Sequence, residues 1–279
     1  MEERKWVFAY ASAIGNGHIA EDIPCQDSCS VCSYPGFDIA IVSDGAGSCA
    51  NSHIGSAQAV EFCNFQFAGL IKNKGWCADT VPELDEWHRE AKGAFLKVRD
   101  DIEKYSLNSN LDFKSLSCTV IVVVAFEGGL LVSHIGDGRA GYCNRELEWK
   151  PMLTPFHGEE ANQTVFITSY IWDDDVVDNF VRSTVIKDDV HAFCLMSDGC
   201  EKSAFECNIY DPAKEQYYDP NRPFPQFFNS NLKILTQLAT EEKPQAEINE
   251  LWKTFLAAGT DKLKIESDDK TLILAVRYP

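Results

Sequence analysis

No run in this chain is long and apolar enough to cross a bilayer as a helix, which sets aside helical membrane proteins. Basic residues are scarce: 25 Lys and Arg stand against 43 Asp and Glu, a formal net charge of -18. A protein that grips a nucleic-acid backbone needs a basic face, and no Lys/Arg run supplies one. The acidity serves solubility, and it also leaves acids in surplus to gather around cations. A charged n-region leading into a long apolar stretch is missing; Met1-Glu2-Glu3-Arg4-Lys5 runs straight into WVFAYASAIG. The eleven cysteines are therefore expected as reduced thiols in a cytoplasmic setting. Cys29-Ser30-Val31-Cys32 is a lone CxxC without a second pair of similar spacing, so small buried hydrophobes are the simpler reading than zinc ligands. There is no repeat of solenoid period and no linker rich in Pro, Gly and Ser, which predicts one domain over 1–279.

What is present is apolar material for a large core: 45% of residues are hydrophobic and 24% charged. Lys5 to Ala13 reads as a first strand, Ile14 to Gln26 as a loop rich in breakers, and Ser28 to Tyr34 and Phe37 to Val42 as two more strands around a Pro35-Gly36 turn. Helices are predicted over Ser52 to Ile71, with Ser52 as N-cap, and over Val81 to Tyr105, where Leu84, Trp87, Ala91, Phe95 and Val98 recur at helical spacing. Ser117 to Phe126 and Leu130 to Ile135 form a hairpin about Glu127-Gly128-Gly129. Further strands are expected at 139–144, 164–169, 180–186, 191–196 and 271–276, and helices at 231–238 and 246–258. Asp173-Asp174-Asp175 reads as an acidic turn, and 203–230 as an irregular insertion. Strands as hairpin neighbours with the long helices grouped between them predict an α+β fold with antiparallel sheets.

Three apolar strands end alike: Val42-Ser43-Asp44-Gly45, Ile135-Gly136-Asp137-Gly138 and Met196-Ser197-Asp198-Gly199. Asp268-Asp269 leads directly into a strand, and Asp27 sits at a loop-to-strand junction. A single Asp-Gly is ordinary turn chemistry. Several at the ends of the most buried runs are harder to assign to turns, because strand ends of stacked antiparallel sheets gather at one edge. Clustered carboxylates raise one another's pKa unless a cation neutralises them. Ligand sets made of oxygen select hard ions such as Mg²⁺ or Mn²⁺ over Zn²⁺. Two such ions can activate a water and clamp a phosphoryl group.

Five segments occur in order: Gln26-Asp27-Ser28, SDGAGS at 43–48, GDGRAGY at 136–142, MSDG at 196–199 and DDKTLIL at 268–274. Together they resemble the metal-dependent 2C-type (PPM) Ser/Thr protein phosphatases, most of all the compact bacterial-type branch. GNGH…PCQD over Gly15 to Asp27 and GEEANQTVF over Gly158 to Phe166 are similar to that branch as well. The resemblance implies a four-layer α-β-β-α sandwich of two antiparallel sheets flanked by helices. It implies two Mn²⁺ or Mg²⁺ ions, with a third, weaker one. Asp44 would bridge the first two, with the Gly45 carbonyl completing one of them. Asp198 and Asp268 would hold the other, Asp27 would act directly or through water, and Asp137 would serve the third. Asp268, three residues before Thr271, takes the ligand position rather than Asp269. The implied reaction is hydrolysis of phosphoserine or phosphothreonine by a hydroxide bridging the two ions, on a phosphorylated protein substrate and opposite a cognate Ser/Thr kinase. A monomer without nucleic-acid or membrane partners is expected.

The sequence departs from the family pattern in places. No arginine in the loop before Asp27 matches the one that meets substrate phosphate in eukaryotic members; His18 is the nearest polar candidate, for phosphate contact or proton donation. Ala46 stands where those members have a histidine, Gly138 where Ser is usual, and Asp269-Lys270 where Asn and an apolar residue are commoner. Asp44 and His18 are thus the catalytic candidates. Two other classes compete. Gly45-Ala46-Gly47-Ser48-Cys49-Ala50 fits a dinucleotide fingerprint, although Asp44 would face a pyrophosphate with like charge. A phosphatase-like regulatory or binding module is the second, marked in the family by loss of ligand acids that are intact here.

Overall fold

A computed structural model of the chain describes residues 5–156, 164–173 and 176–278. In chain order, β1 (Lys5–Ala13), α1 (Asn16–Glu21), β2 (Ser28–Tyr34) and β3 (Phe37–Ser43) precede two long helices, α2 (Ser52–Lys74) and α3 (Leu84–Asn108). β4 (Val120–Phe126), β5 (Gly129–Ile135), β6 (Arg139–Cys143), β7 (Trp149–Pro151), β8 (Arg182–Ile186) and β9 (Ala192–Met196) follow. After α4 (Glu201–Ala204) come four short strands: β10 (Phe205–Glu206), β11 (Ile209–Asp211), β12 (Gln216–Tyr218) and β13 (Arg222–Pro223). α5 (Pro225–Thr240), α6 (Gln245–Ala258), α7 (Asp261–Ile265) and β14 (Lys270–Tyr278) close the fold. Among the described residues no helix is long and apolar enough to cross a membrane.

Two antiparallel five-stranded sheets carry the architecture, in the orders β2-β3-β4-β5-β8 and β1-β14-β9-β6-β7. The two-residue period of a strand sends alternate side chains to opposite faces, and here both faces are buried. Ile39 and Ile41 of β3, with Val120, Val122 and Val124 of β4, pack under α2 and α3 beside Phe67, Trp87 and Phe95. Their neighbours Ala40, Val42, Ile121 and Val123 face the other way, meeting Phe193, Leu195, Ile273 and Ala275 of the second sheet. That sheet's outer residues, Cys194, Met196, Leu272 and Leu274, lie under Phe228, Leu232 and Trp252 of α5 and α6. The layers are therefore α-β-β-α, as the resemblance implies.

Several local expectations are corrected. The stretch 14–26 is not all loop: 16–21 forms α1, because Asn16 and Gly17 donate their amides to the Glu266 and Ser267 carbonyls, 3.1 and 2.9 Å away. Those partners lie far along the chain, beyond the reach of local signals. Asn51, not Ser52, takes the N-cap of α2, and α3 starts at Leu84, after Pro82. The run 164–169 makes no strand. Val165 and Ile167 are buried against the α2/α3 core, and Ile167 gives a single backbone bond to Cys118. The insertion is shorter and more regular than predicted. Its residues 205–223 pair as β10 with β13 and β11 with β12, and Pro225 already opens α5, the first-turn position a proline suits. Most of the 158–166 motif, and Asp174 and Asp175 of the acidic turn, lie outside the described residues. All eleven cysteines are free thiols, and β3 has antiparallel neighbours on both sides, which removes the βαβ frame a dinucleotide fingerprint needs.

Candidate active site

Register places the five acid-bearing junctions at one edge. β2 begins where β3 ends, with Ser28 opposite Ser43, so Asp27 and Asp44 are neighbours across that pair. β3 and β5 are both antiparallel to β4 and so run the same way, which puts the end of β5 at the edge where β3 ends. Asp137 lies in the turn from β5 to β6 and so carries the chain from one sheet to the other. In the second sheet Met196, the last residue of β9, stands opposite both Arg139 at the start of β6 and Leu272 near the start of β14. Asp198 and Asp268 therefore share the edge that Asp137 reaches.

Tight backbone packing explains the glycines. A Cβ on Gly45 would lie 2.6 Å from the Gln26 carbonyl oxygen, and one on Gly199 would lie 2.0 Å from that of Asp269. Gly138, where the family pattern has Ser, is pressed by the Met196 carbonyl, 2.7 Å from where its Cβ would be. Asp44 is held through its backbone: its amide donates to Thr119 Oγ1 at 3.2 Å, and its carbonyl accepts from the Thr119 amide at 2.8 Å.

The carboxyls sense one another. Burial pushes Asp44 well above the ordinary carboxylate range, and the charges of Asp27, Asp198, Asp137 and Asp268 push it further. Burial raises Asp198 to about 8, with Asp137, Asp268 and Asp27 adding to it. Asp27 rises to about 7 through burial, against hydrogen bonds from Ser197 and Thr271 that favour its charged form. One oxygen of Asp198, Oδ1, is buried with no hydrogen-bond partner, and so is Gln26 Oε1. A buried carboxylate oxygen left bare in a ring of acids fits a site for a hard cation, and the donor set is entirely oxygen. Among the described residues no three of these groups are already drawn to the spacing of a closed metal cage.

A supporting layer surrounds the acids that the sequence pattern did not single out. Ser197 Oγ donates to Asp27 Oδ2 at 2.7 Å and accepts from the Thr271 amide at 3.0 Å, tying the ends of β9 and β14 to the start of β2. Replacing it with alanine leaves that buried amide without its acceptor; the Ser197→Ala protein is expected to lose about 1–2 kcal/mol in urea unfolding, and a loss below about 0.3 kcal/mol contradicts the arrangement. Asp269 is committed to the backbone. Its carboxylate accepts the amides of Gly15 at 2.7 Å and Gln26 at 2.5 Å, clamping the 15–26 segment onto β14. His18 Nδ1 stands 2.9 Å from Asp269 Oδ2, at ion-pair distance though off the line of a hydrogen bond. Lys270, the other departure, is buried with its Nζ toward the Leu263 carbonyl at 3.3 Å. Arg139, also buried, binds Glu201 at 2.8 Å, Asp219 at 2.7 Å and Asn221 at 2.8 Å, and so fastens the 205–223 insertion beside the acid edge. Ser197 and Arg139 lie inside the MSDG and GDGRAGY segments, but nothing local in the sequence marks the contacts they make.

The chain is similar to known proteins over nearly its whole length. Residues 14–253 match a family model described as protein phosphatase 2C. Serine/threonine-protein phosphatase 3 of Escherichia coli (strain K12) is 28% identical over 277 residues, covering 97% of this chain and 98% of that protein. The crystal structure of the phosphatase Stp1 from Staphylococcus aureus superposes with a TM-score of 0.56 at 14% identity, over 100% of this chain and 98% of that one. A serine-threonine phosphatase 2C from Toxoplasma gondii gives a TM-score of 0.59 at 14% identity, over 98% and 95%.

Proposed function

The chain belongs to the protein phosphatase 2C family, and from that premise we propose that it removes phosphate from serine or threonine side chains of proteins with two Mn²⁺ or Mg²⁺ ions held at the sheet edge. The observation that carries this is the convergence of the five aspartate-bearing junctions on one edge, with Asp198 Oδ1 bare and buried among them. Asp44 and the Gly45 carbonyl would serve the first ion and share Asp44 with a second, which Asp198 and Asp268 complete. Asp137 would serve a third, weaker ion. The ions, when bound, supply an acidified water and neutralise the phosphoryl oxygens.

The chain's own residues set the geometry. Asp27, held by Ser197, faces the site from the first sheet and would orient the attacking water by hydrogen bonding. The Asp269 clamp fixes the helix that carries His18, the one imidazole on the 15–26 segment, and would set how that ring meets substrate phosphate or the leaving oxygen. Ala46 offers no proton, so His18 or water supplies it. Hydrolysis of p-nitrophenyl phosphate and of a phosphothreonine peptide should require added Mn²⁺ and cease with chelator. Absence of turnover on both at every metal concentration would leave a phosphatase-like binding module as the function.

A further inference from the structure

Beside the acid edge opens a groove of about 630 Å³, walled by 201–203, 205–209, Phe224, Lys262 and 265–267. It adjoins the proposed phosphate site along the chain. Glu266 and Ser267 lead directly into Asp268, and Glu201 lies three residues past Asp198. The far wall comes from the insertion that Arg139 fastens in place.

The groove's charges are unequally committed. Glu201 pairs with Arg139 at 2.8 Å, Glu206 with Arg222 at 3.0 Å and Glu266 with Lys202 at 3.0 Å. Lys262 reaches only a carbonyl, that of Lys202, at 2.6 Å, and no carboxylate pairs with it among the described residues. Around it the groove shows apolar surface: Ile265 is 77% exposed and Phe224 37%, and Ile209 is partly exposed. An open apolar wall with one uncommitted positive charge is complementary to an apolar side chain followed by a carboxylate.

We propose that this groove is a substrate subsite, taking the peptide segment next to the phosphorylated serine or threonine. An aliphatic side chain would lie on Phe224 and Ile265, and an acidic residue beside it would meet Lys262. The proposal rests on the phosphatase reading above and adds the sequence class of the substrate. Such preference lives in a few polar contacts and a small apolar patch rather than in area.

The test uses phosphothreonine peptides that carry Ile-Glu, Ile-Lys or Ser-Glu on the N-terminal or the C-terminal side of the phosphorylated residue. On one side, the wild-type protein should favour Ile-Glu by about fivefold in kcat/KM, the scale of a partly exposed ion pair. Lys262→Glu should invert that preference, and Ile265→Ser should remove the gain from isoleucine over serine in the same position. Equal kcat/KM on all peptides, or an unaltered preference in Lys262→Glu, overturns the subsite. p-Nitrophenyl phosphate, too small to reach the groove, separates the two readings in the wild-type protein. Its turnover without peptide discrimination removes the groove alone, and no turnover of it or of the peptides removes the phosphatase reading and the groove with it.

Discussion

Asp44→Asn should lower Mn²⁺-dependent hydrolysis of p-nitrophenyl phosphate by about a thousandfold or more, with the far-UV circular dichroism and the cooperative melt retained. The size follows from what the change removes. An amide keeps the shape of the carboxylate and loses its charge, and loss of several kcal/mol of charge stabilisation at the proposed bridging position is worth that factor in rate. Retention of the fold follows from how residue 44 is held. Its amide and carbonyl are bonded to Thr119, which an asparagine preserves. The chain after it stays extended beside 117–119, with the Ala46 amide on the Ser117 carbonyl at 2.9 Å. A variant within tenfold of wild type, at saturating metal, would remove Asp44 from the centre of the mechanism.

Without metal, the acid edge should cost the protein stability, and more so as pH rises. Folded-state pKa values of Asp27 and Asp198 stand above the ordinary carboxylate value, at about 7 and about 8. The folded protein therefore holds protons at a pH where the unfolded chain has released them, and the cluster's contribution to stability falls as pH climbs from about 4 to about 8. Divalent metal, bound as proposed to the folded, deprotonated site, should reverse this. Two ions at about a hundred times their dissociation constants add roughly 5 kcal/mol, a Tm increase of about 10 °C for a protein of this size. Asp198→Asn should raise the metal-free Tm at pH 8, since it removes a buried charge whose Oδ1 has no partner, and should abolish most of the Mn²⁺-induced shift. Differential scanning calorimetry at pH 5 and pH 8, with and without Mn²⁺, reads all of these changes. A metal-free Asp198→Asn protein that melts lower than wild type at pH 8 would show that the carboxylate is already satisfied within the fold.

Much of this was legible in the chain because it is written locally. The continuous apolar runs Ile39 to Val42 and Val120 to Phe126 specify strands buried on both faces, and helical spacing through Trp87, Ala91, Phe95 and Val98 specifies the face of α3 that meets them. Strand ends marked by Asp-Gly announced the edge, because such turns put the acid at the mouth and leave room beside it. Features that were not legible depend on distant partners. α1 exists because the 266–269 segment satisfies its first amides. Val165 and Ile167 look like strand residues by composition, yet they serve as a plug over the α2/α3 core with one backbone bond to show for it. The insertion reads as irregular since its strands are two or three residues long, too short for periodicity, and it is ordered by the buried guanidinium of Arg139.

Asp269 shows the same limit within the site. Beside Asp268 it looks like a duplicated ligand, and nothing in the local sequence separates the two roles. In the folded chain Asp269 is 2% exposed and spends its carboxylate on two backbone amides, while its neighbour remains open at the edge. The acid at this position, where the family pattern has asparagine, can accept both amides at once with its two oxygens; an asparagine offers a single carbonyl oxygen. It also presents a negative charge to His18.

Whether the aspartates of this edge hold divalent cations is read by anomalous diffraction at the manganese edge from crystals grown with Mn²⁺. Two anomalous peaks are predicted, one against Asp44 and the Gly45 carbonyl and one shared by Asp44, Asp198 and Asp268. Saturating Mn²⁺ with no peak at this edge, or with peaks only elsewhere on the surface, would contradict the account.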